Sequence, residues 1–369
     1  MIIFGRKRHQ TTHNYPGDRS TLPLHLDSIS QFVLGAAIGE LVAGRKAGNK
    51  AILWGGIAGT IPDLDILLNP FITPLQQLSV HRGYSHALLF AFVAAPLFAW
   101  PVQRLHHNST QTSFKDWLLL FFLGIFTHPL LDAFTLYGTQ LFLPFSDYRV
   151  ALNTISIVDP LYTLPLLIGI IIAMIRRKKS PEKAAKAARV GLIISCVYLG
   201  MTCAIKQHVD RRFEQAIQAA HIRPNAWLSN PVLFSNLLWY TVTREDSTCH
   251  IGYYSLLQGD RPILFETFQR NLSLQPQIKD PYGLDRLRWF SKDFYLLEQQ
   301  EKGLFFYDIR FGKTNLDASG ENERTFVFCF QLPKPDLTPL PVKQYISRED
   351  SDFGEFTRQI GHRILHNGE

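Results

Sequence analysis

Apolar residues fill the first part of the chain in long blocks and the remainder in short, alternating runs. Phe114–Leu136 reaches the about 20 residues that span a bilayer, although it carries His128 and Asp132. His86–Val102 is a second such block, and Pro160–Ile175 and Val190–Ile205 are shorter but free of charge. Ala51–Leu68 is a fifth, with acids near its end. Gln31–Ala43 is short and rich in small residues, a composition that suits close helix packing. This pattern predicts a multi-pass α-helical membrane domain of about five or six apolar helices. After about Val209 the pattern changes. A helical run, "HVDRRFEQAIQAAHI", leads into "LLWYTVTRE", "CHIGYYSLL", "GLFFYDIRF" and "RTFVFCFQL", which read as strands between Gly, Asp, Asn and Pro turns. A soluble α+β or mostly-β C-terminal domain is expected. The boundaries predicted are a flexible extension over 1–26, a membrane-embedded domain over 27–208 and a soluble domain over 209–369.

Composition sharpens this division. Charged residues are 19% of the 369 and hydrophobic residues 46%, which excludes a disordered chain. Four cysteines in this length exclude a disulfide scaffold. The start, "MIIFGRKRHQTTHNYPGDRS", has charges but no apolar core of the length a signal peptide uses. Arg176–Arg189 carries seven basic residues and one acid, so the positive-inside rule puts it in the cytoplasm. Walking outward puts the tail domain on the non-cytoplasmic side. Walking back puts Arg104–Lys115 and Gly44–Lys50 inside, and both are basic. Arg6, Lys7, Arg8 and Arg19 then fall outside, a conflict that a re-entrant first helix would remove.

Ionisable groups within apolar segments are expensive and therefore candidate functional groups. They come in four sets: Asp63 and Asp65 in "PDLD"; His81, Arg82, Ser85 and His86 in "HRGYSH"; His128 and Asp132 in "HPLLD"; and Asp147, Arg149 and Asp159. The topology above puts all four at the outer ends of their helices. His128 and Asp132 are i,i+4 and share a helix face. Three imidazoles and three carboxylates suit zinc or another borderline divalent ion, which could activate water against a phosphoester. Arg82 could bind a phosphate oxygen, and Asp65 could serve as a ligand or as a general base. Taken singly, each motif is as well explained by a polar turn, a helix stop or an interhelical hydrogen bond. Asp147, Arg149 and Asp159 read most simply as an ion-pair network, and Asp308 and Arg310 of the tail as a solvated strand face.

The ordered motifs "PDLDILLNP", "HRGYSHALLF" and "HPLLDAFTLYGTQLFLPFS" resemble the YdjM-type family, described as LexA-binding, inner-membrane-associated, metal-dependent hydrolases. The likeness runs from about Asp27 to Pro165. That family is in turn similar to zinc-dependent phospholipase C and related zinc nucleases, which use a His-x-x-x-Asp helix, matched here by His128 and Asp132. Their upstream Asp and His could match Asp63 and His81 or His86. The resemblance implies a zinc-dependent phosphoester hydrolase in the inner membrane. One departure is Gln31, which stands where many relatives have a His. Either a metal position is lost or Asp27 takes the role.

Two function classes follow. One is a membrane-embedded hydrolase using a divalent metal, Zn2+ by donor type, on a phosphoester or lipid-linked substrate, with metal ligands drawn from Asp63, Asp65, His81, His86, His128 and Asp132. The alternative is a non-enzymatic membrane adaptor with a structural polar core and a tail that binds a protein partner. No nucleic-acid partner is expected. An outer tail would meet oxidising conditions, so Cys249 and Cys329 either pair or pack as buried thiols.

Overall fold

The computed structural model describes residues 22–313, 316, 326–345 and 353–366, with the side chains of 22–27, 345, 353, 355 and 366 outside the description. The predicted N-terminal extension therefore lies almost wholly outside the described residues, and so does the side chain of Asp27. The helical region comprises α1 (Leu22–Ala47), α2 (Asn49–Thr60), α3 (Pro74–Val80), α4 (Leu88–His106), α5 (Phe114–Asp132), α6 (Pro160–Arg176) and α7 (Pro181–Ala219). Two 3-10 helices, Pro62–Phe71 and Tyr84–His86, lie on either side of α3.

Among the described residues, three helices are long and apolar enough to cross a bilayer: α4, α5 and α7. A fourth span is reached if α2 and the 3-10 helix after it, bent by 49°, are counted as one. This is fewer than the five or six read from the apolar blocks, for local reasons. Pro62 enters where α2 would have to continue, and the chain tightens into a 3-10 helix. The apolar helix α6 has 17 residues. Helix α1 carries Glu40, Arg45 and Lys46, and Glu40 is buried against Arg177.

Glycines set the packing. A Cβ on Gly35 would run into the carbonyl oxygen of Gly55, and one on Gly59 would meet that of Gln31. Helices α1 and α2 therefore touch backbone to backbone. Gly124 of α5 lies against Ala58 and Gly59 in the same way. These contacts bring the carbonyl of Gly59 within reach of a side chain on α5, which matters for the site.

Helix α7 has 39 residues, a rod of about 58 Å that runs from the apolar region into the tail. Its last turns bury Val209 and Phe213 against Trp239 and Tyr254. The tail holds two antiparallel sheets. Strands β1 (Ala226–Pro231), β2 (Leu238–Arg244), β3 (Thr248–Ser255) and β4 (Phe265–Gln269) form one, in sequence order. After α8 (Pro281–Ser291), β5 (Tyr295–Gln300), β6 (Gly303–Lys313), β7 (Phe326–Leu332) and β8 (Lys343–Tyr345) form the second, again in order, and α9 (Phe353–His366) closes the chain. The same succession, a helix and then a four-stranded meander, thus occurs twice.

Two sequence expectations, one in the tail and one in the helical region, are corrected, and the alternative left open for the tail cysteines is settled. Asp308 and Arg310 are fully buried, joined by Nη2–Oδ2 at 2.6 Å and Nε–Oδ1 at 3.0 Å, because both faces of β6 are covered. Cys249 and Cys329 sit on β3 and β7, in different sheets, and are buried free thiols, which burial pushes up to about 12. Arg149 makes no ion pair with Asp147 or Asp159 among the described residues. Its guanidinium instead donates to the carbonyls of Leu78 and Gly138, and Asp159 caps α6.

The tail is packed onto one end of the helical region. Leu75, Leu78 and Tyr137 share a core with Leu284, Leu287 and Phe290 of α8. Asn236 donates to the carbonyl of Thr154, and Arg286 reaches the hydroxyl of Ser79. Arg149 lies between the rings of Tyr137 and Trp289.

A candidate metal centre beneath the tail

The polar groups singled out in the apolar segments gather at that same end. Helix α5 projects His128 and Asp132 from its last turn, with His128 Nε2 3.5 Å from Asp132 Oδ2. The 3-10 helix Pro62–Phe71 supplies Asp63 and Asp65. The turn between α3 and α4 supplies His81, Arg82, Ser85 and His86. It is tight enough that Arg82 adopts φ 57°, a costly conformation for a residue with a side chain.

Asp63, His86 and His128 form the tightest group. Their donor atoms define a triangle: His86 Nε2 to His128 Nε2 is 3.1 Å, His128 Nε2 to Asp63 Oδ1 3.4 Å, and His86 Nε2 to Asp63 Oδ1 3.5 Å. Asp132 Oδ2 approaches the same two nitrogens, at 3.3 Å from His86 and 3.5 Å from His128. Donors about 2.0–2.1 Å from a tetrahedral ion stand about 3.3–3.4 Å apart, so the triangle has the size of one face of a zinc site.

The hydrogen-bond network explains why these atoms face one another. His128 Nδ1 donates to the Gly59 carbonyl at 2.6 Å, the contact that the glycine packing makes possible. His86 Nδ1 lies 2.9 Å from Ser85 Oγ, whose own hydrogen goes to Asp65 Oδ2 at 3.1 Å. Both rings therefore hold a proton on Nδ1 and turn Nε2, their remaining ligand atom, inward. Two imidazole Nε2 atoms 3.1 Å apart beside two carboxylates have the donor types and spacing of a candidate metal-binding group. Asp132 Oδ2, fully buried, has no hydrogen-bond donor of its own, although Arg82 Nε lies 3.2 Å away.

The remaining predicted residues stand behind this group. Asp65 accepts from the Arg82 backbone N–H at 3.1 Å and from Ser85, and its Oδ1 lies 3.1 Å from His81 Nδ1. It lies outside the Asp63–His86–His128 group. His81 Nε2 is buried without a hydrogen-bond partner, and its ring sits 6.2 Å from that of His86. Arg82 also donates to Thr135 Oγ1 at 2.9 Å and lies over the Tyr137 ring. Gln31 is buried and donates to Asp132 Oδ1 at 2.8 Å and to the His128 carbonyl at 3.2 Å. Its part in orienting Asp132 was missed in the sequence, where only its type and its place in the motif were visible. Tyr137, packed between Arg82, Arg149 and His81, was missed as well; its sequence neighbours gave no sign of it.

Residues 26–209 match the family model described as YdjM inner membrane protein, which covers the helical region and stops before the sheets of the tail. The chain is also 30% identical over 157 residues to "Uncharacterized protein YfhP" of Bacillus subtilis (strain 168). That match takes in 40% of this chain and 46% of the relative, so the chain spans about half the length of the curated relative it matches. No solved structure matches it significantly. The family match and the apolar helices support an inner-membrane location.

Proposed function

We propose that this YdjM-like membrane protein is a divalent-metal-dependent hydrolase of phosphoesters. The observation that carries the reading is the convergence of two imidazole Nε2 atoms, 3.1 Å apart, with two carboxylate oxygens that each lie 3.3–3.5 Å from both nitrogens, almost wholly out of water. Asp63, His86 and His128 would hold the ion, with Asp132 closing on it, and a mixed His/carboxylate set favours Zn2+. A divalent ion held there supplies Lewis-acid polarisation of a phosphoryl oxygen and makes a water more acidic.

The chain's own residues do the rest. Gln31 and Arg82 hold Asp132 in place, and Gly59 and Ser85 fix the two imidazole tautomers. His81 keeps its Nδ1 proton on Asp65 and presents Nε2 as the proton acceptor. Asp65 thereby becomes a positioning group instead of the base. Arg82, tied to Asp132 and Thr135, balances charge within the cluster. In the hydrolysis, a water oxygen bonds to phosphorus, the phosphorus–oxygen bond to the leaving group breaks, and the leaving oxygen takes up a proton. The basic Arg176–Arg189 loop puts the site and the tail on the non-cytoplasmic side in this reading, since the tail is packed on the end that carries the site.

The test is metal content and turnover of the full chain purified in detergent. About one zinc per chain is expected, with hydrolysis of methyl p-nitrophenyl phosphate that is lost to a chelator and restored by Zn2+. A protein that takes up no divalent ion and stays inert with Zn2+, Mn2+ and Mg2+ would overturn the reading.

A further inference from the structure

Among the described residues, the candidate centre is closed except at Asp63. The side chains of His86, His128 and Asp132 are 0–1% exposed, whereas that of Asp63 is 19% exposed. Asp63 is thus the mouth. Its rim is mostly apolar. On the α1 side, Ser28 reaches Asp63 Oδ2 at 3.4 Å, and Phe32, one turn further on the same face, packs over Gly56 with its ring part exposed. On the other side runs the 3-10 helix that carries Asp63. Residues three apart eclipse in such a helix. The row Leu64, Leu67, Pro70 therefore lines up one position from Asp63, and it is exposed, as are Leu68 and Phe71. Leu67 is 64% and Phe71 83% exposed.

This row continues the exposed apolar surface of the neighbouring helices. The 49° bend at Pro62 turns the 3-10 helix out of the line of α2. The turn packed beside it leads directly into α4, a spanning helix whose Leu89, Phe92, Val93 and Leu97 point outward. An amphipathic segment at a helix end, with carboxylates inward and leucines outward, fits the boundary between headgroups and acyl chains.

We infer that the site takes its substrate laterally from the bilayer, and that the substrate is a lipid whose phosphoester head reaches Asp63 while its chain lies along Phe32, Leu64 and Leu67. The inference rests on the hydrolase reading for the chemistry and on the exposed row for the route. A water-soluble phosphoester would gain nothing from that row.

The experiment has two arms. In the first, the zinc-loaded full chain in mixed micelles is given hexadecyl p-nitrophenyl phosphate or methyl p-nitrophenyl phosphate, which share a leaving group. The ratio of kcat/KM, long chain over short, should exceed about tenfold, and the variant L64N/L67N should lower that ratio by about tenfold or more. Equal kcat/KM on the two esters, or a ratio the variant does not change, would overturn the inference. In the second arm, L67C in a C196S/C203S background carries a nitroxide in lipid nanodiscs. Collisions with oxygen should exceed those with an aqueous nickel chelate, which places the row in lipid. The reverse order would overturn the route. If neither ester is cleaved, the hydrolase reading fails, and the second arm still decides whether the mouth opens to lipid.

Discussion

Two buried ionic clusters in this molecule solve opposite problems. In the tail, Arg310 and Asp308 meet through several hydrogen bonds, and the carboxylate also accepts from the Arg310 backbone N–H. One charge answers the other. In the helical region, Asp63, Asp132, His86 and His128 turn acceptor atoms toward a common centre, with Arg82 as the cation in contact with Asp132. A cluster that satisfies itself holds a fold together. The second cluster is held in place from behind by Gly59, Ser85, Gln31 and Asp65, and its inward-facing groups have the spacing of a candidate metal site. The difference separates a self-contained ion pair, sealed from water, from a candidate binding group that is open to solvent only at Asp63.

The sharpest way to break the comparison is to remove one partner from each. Asp308→Ala leaves a guanidinium buried without its counter-ion, which typically costs about 3–5 kcal/mol. The tail should unfold well before the helical region, as seen by near-UV circular dichroism and by cysteine labelling. Cys249 and Cys329, inert in the folded protein, should become reactive to maleimide at neutral pH. If the variant keeps both thiols protected and its transition temperature, the pair contributes little. Asp63→Asn tests the second cluster by its ligand chemistry, since an amide oxygen replaces the carboxylate that faces both imidazoles. Zinc affinity should fall by about 100-fold or more, read by competition with a chromogenic chelator. Equal zinc affinity in the two proteins would exclude Asp63 as a ligand.

A finer cut is Gln31→Ala, which changes no acceptor in the cluster. It removes the amide that holds Asp132 Oδ1 and the His128 carbonyl. The expected loss is about 10–100-fold in metal affinity, the usual size for a group that only orients a ligand. Zinc titration of the variant should show unchanged stoichiometry with the weaker binding. A stoichiometry that falls would instead make Gln31 part of the binding set.

The sequence made some of this visible and hid the rest, for physical reasons. His128 and Asp132 stood out because helical spacing fixes i,i+4 neighbours and because charge inside an apolar block is costly. The roles of Asp63 and Asp65 were not separable. Their order of faces depends on the 3-10 helix that Pro62 imposes, in which residues two apart point about 120° from each other. Gln31 showed only as a departure from a motif, since a donor one layer behind a ligand leaves no spacing signature. In the tail four of the eight described strands, β2, β3, β6 and β7, were legible from alternating and aromatic runs, and β1, β4, β5 and β8 were not. The burial of Asp308 and Arg310 was not, because period two says that they share a face without saying whether that face is covered.

The smallest expected effect concerns a lone cation at the junction of the two regions. Lys292 follows α8 in a left-handed conformation, φ 51°, and its ammonium lies 5.7 Å from the Tyr148 ring of the helical region. Burial, together with Arg310 and Arg149 nearby, pulls its pKa from 10.5 down to about 8, with Asp308 offsetting only part of this. The sign follows from proton counts. Between about pH 8 and 10.5 the unfolded chain holds a proton on Lys292 that the folded chain has lost, so stability should rise as pH rises through that window. Below pH 8 both states are protonated, and the folded state carries the full penalty. A shift of this size bounds the effect at about 3 kcal/mol. The part of the side chain that stays wet, and the contact with Tyr148 that would be lost, reduce the gain expected from Lys292→Met at pH 7 to about 1 kcal/mol. Thermal unfolding of the full chain in detergent, run at pH 7.5 and pH 10, should show a rise in Tm for the parent that the variant lacks. If parent and variant respond alike to pH, Lys292 is solvated as an ordinary surface lysine, and the junction is wetter than its aromatic lining implies.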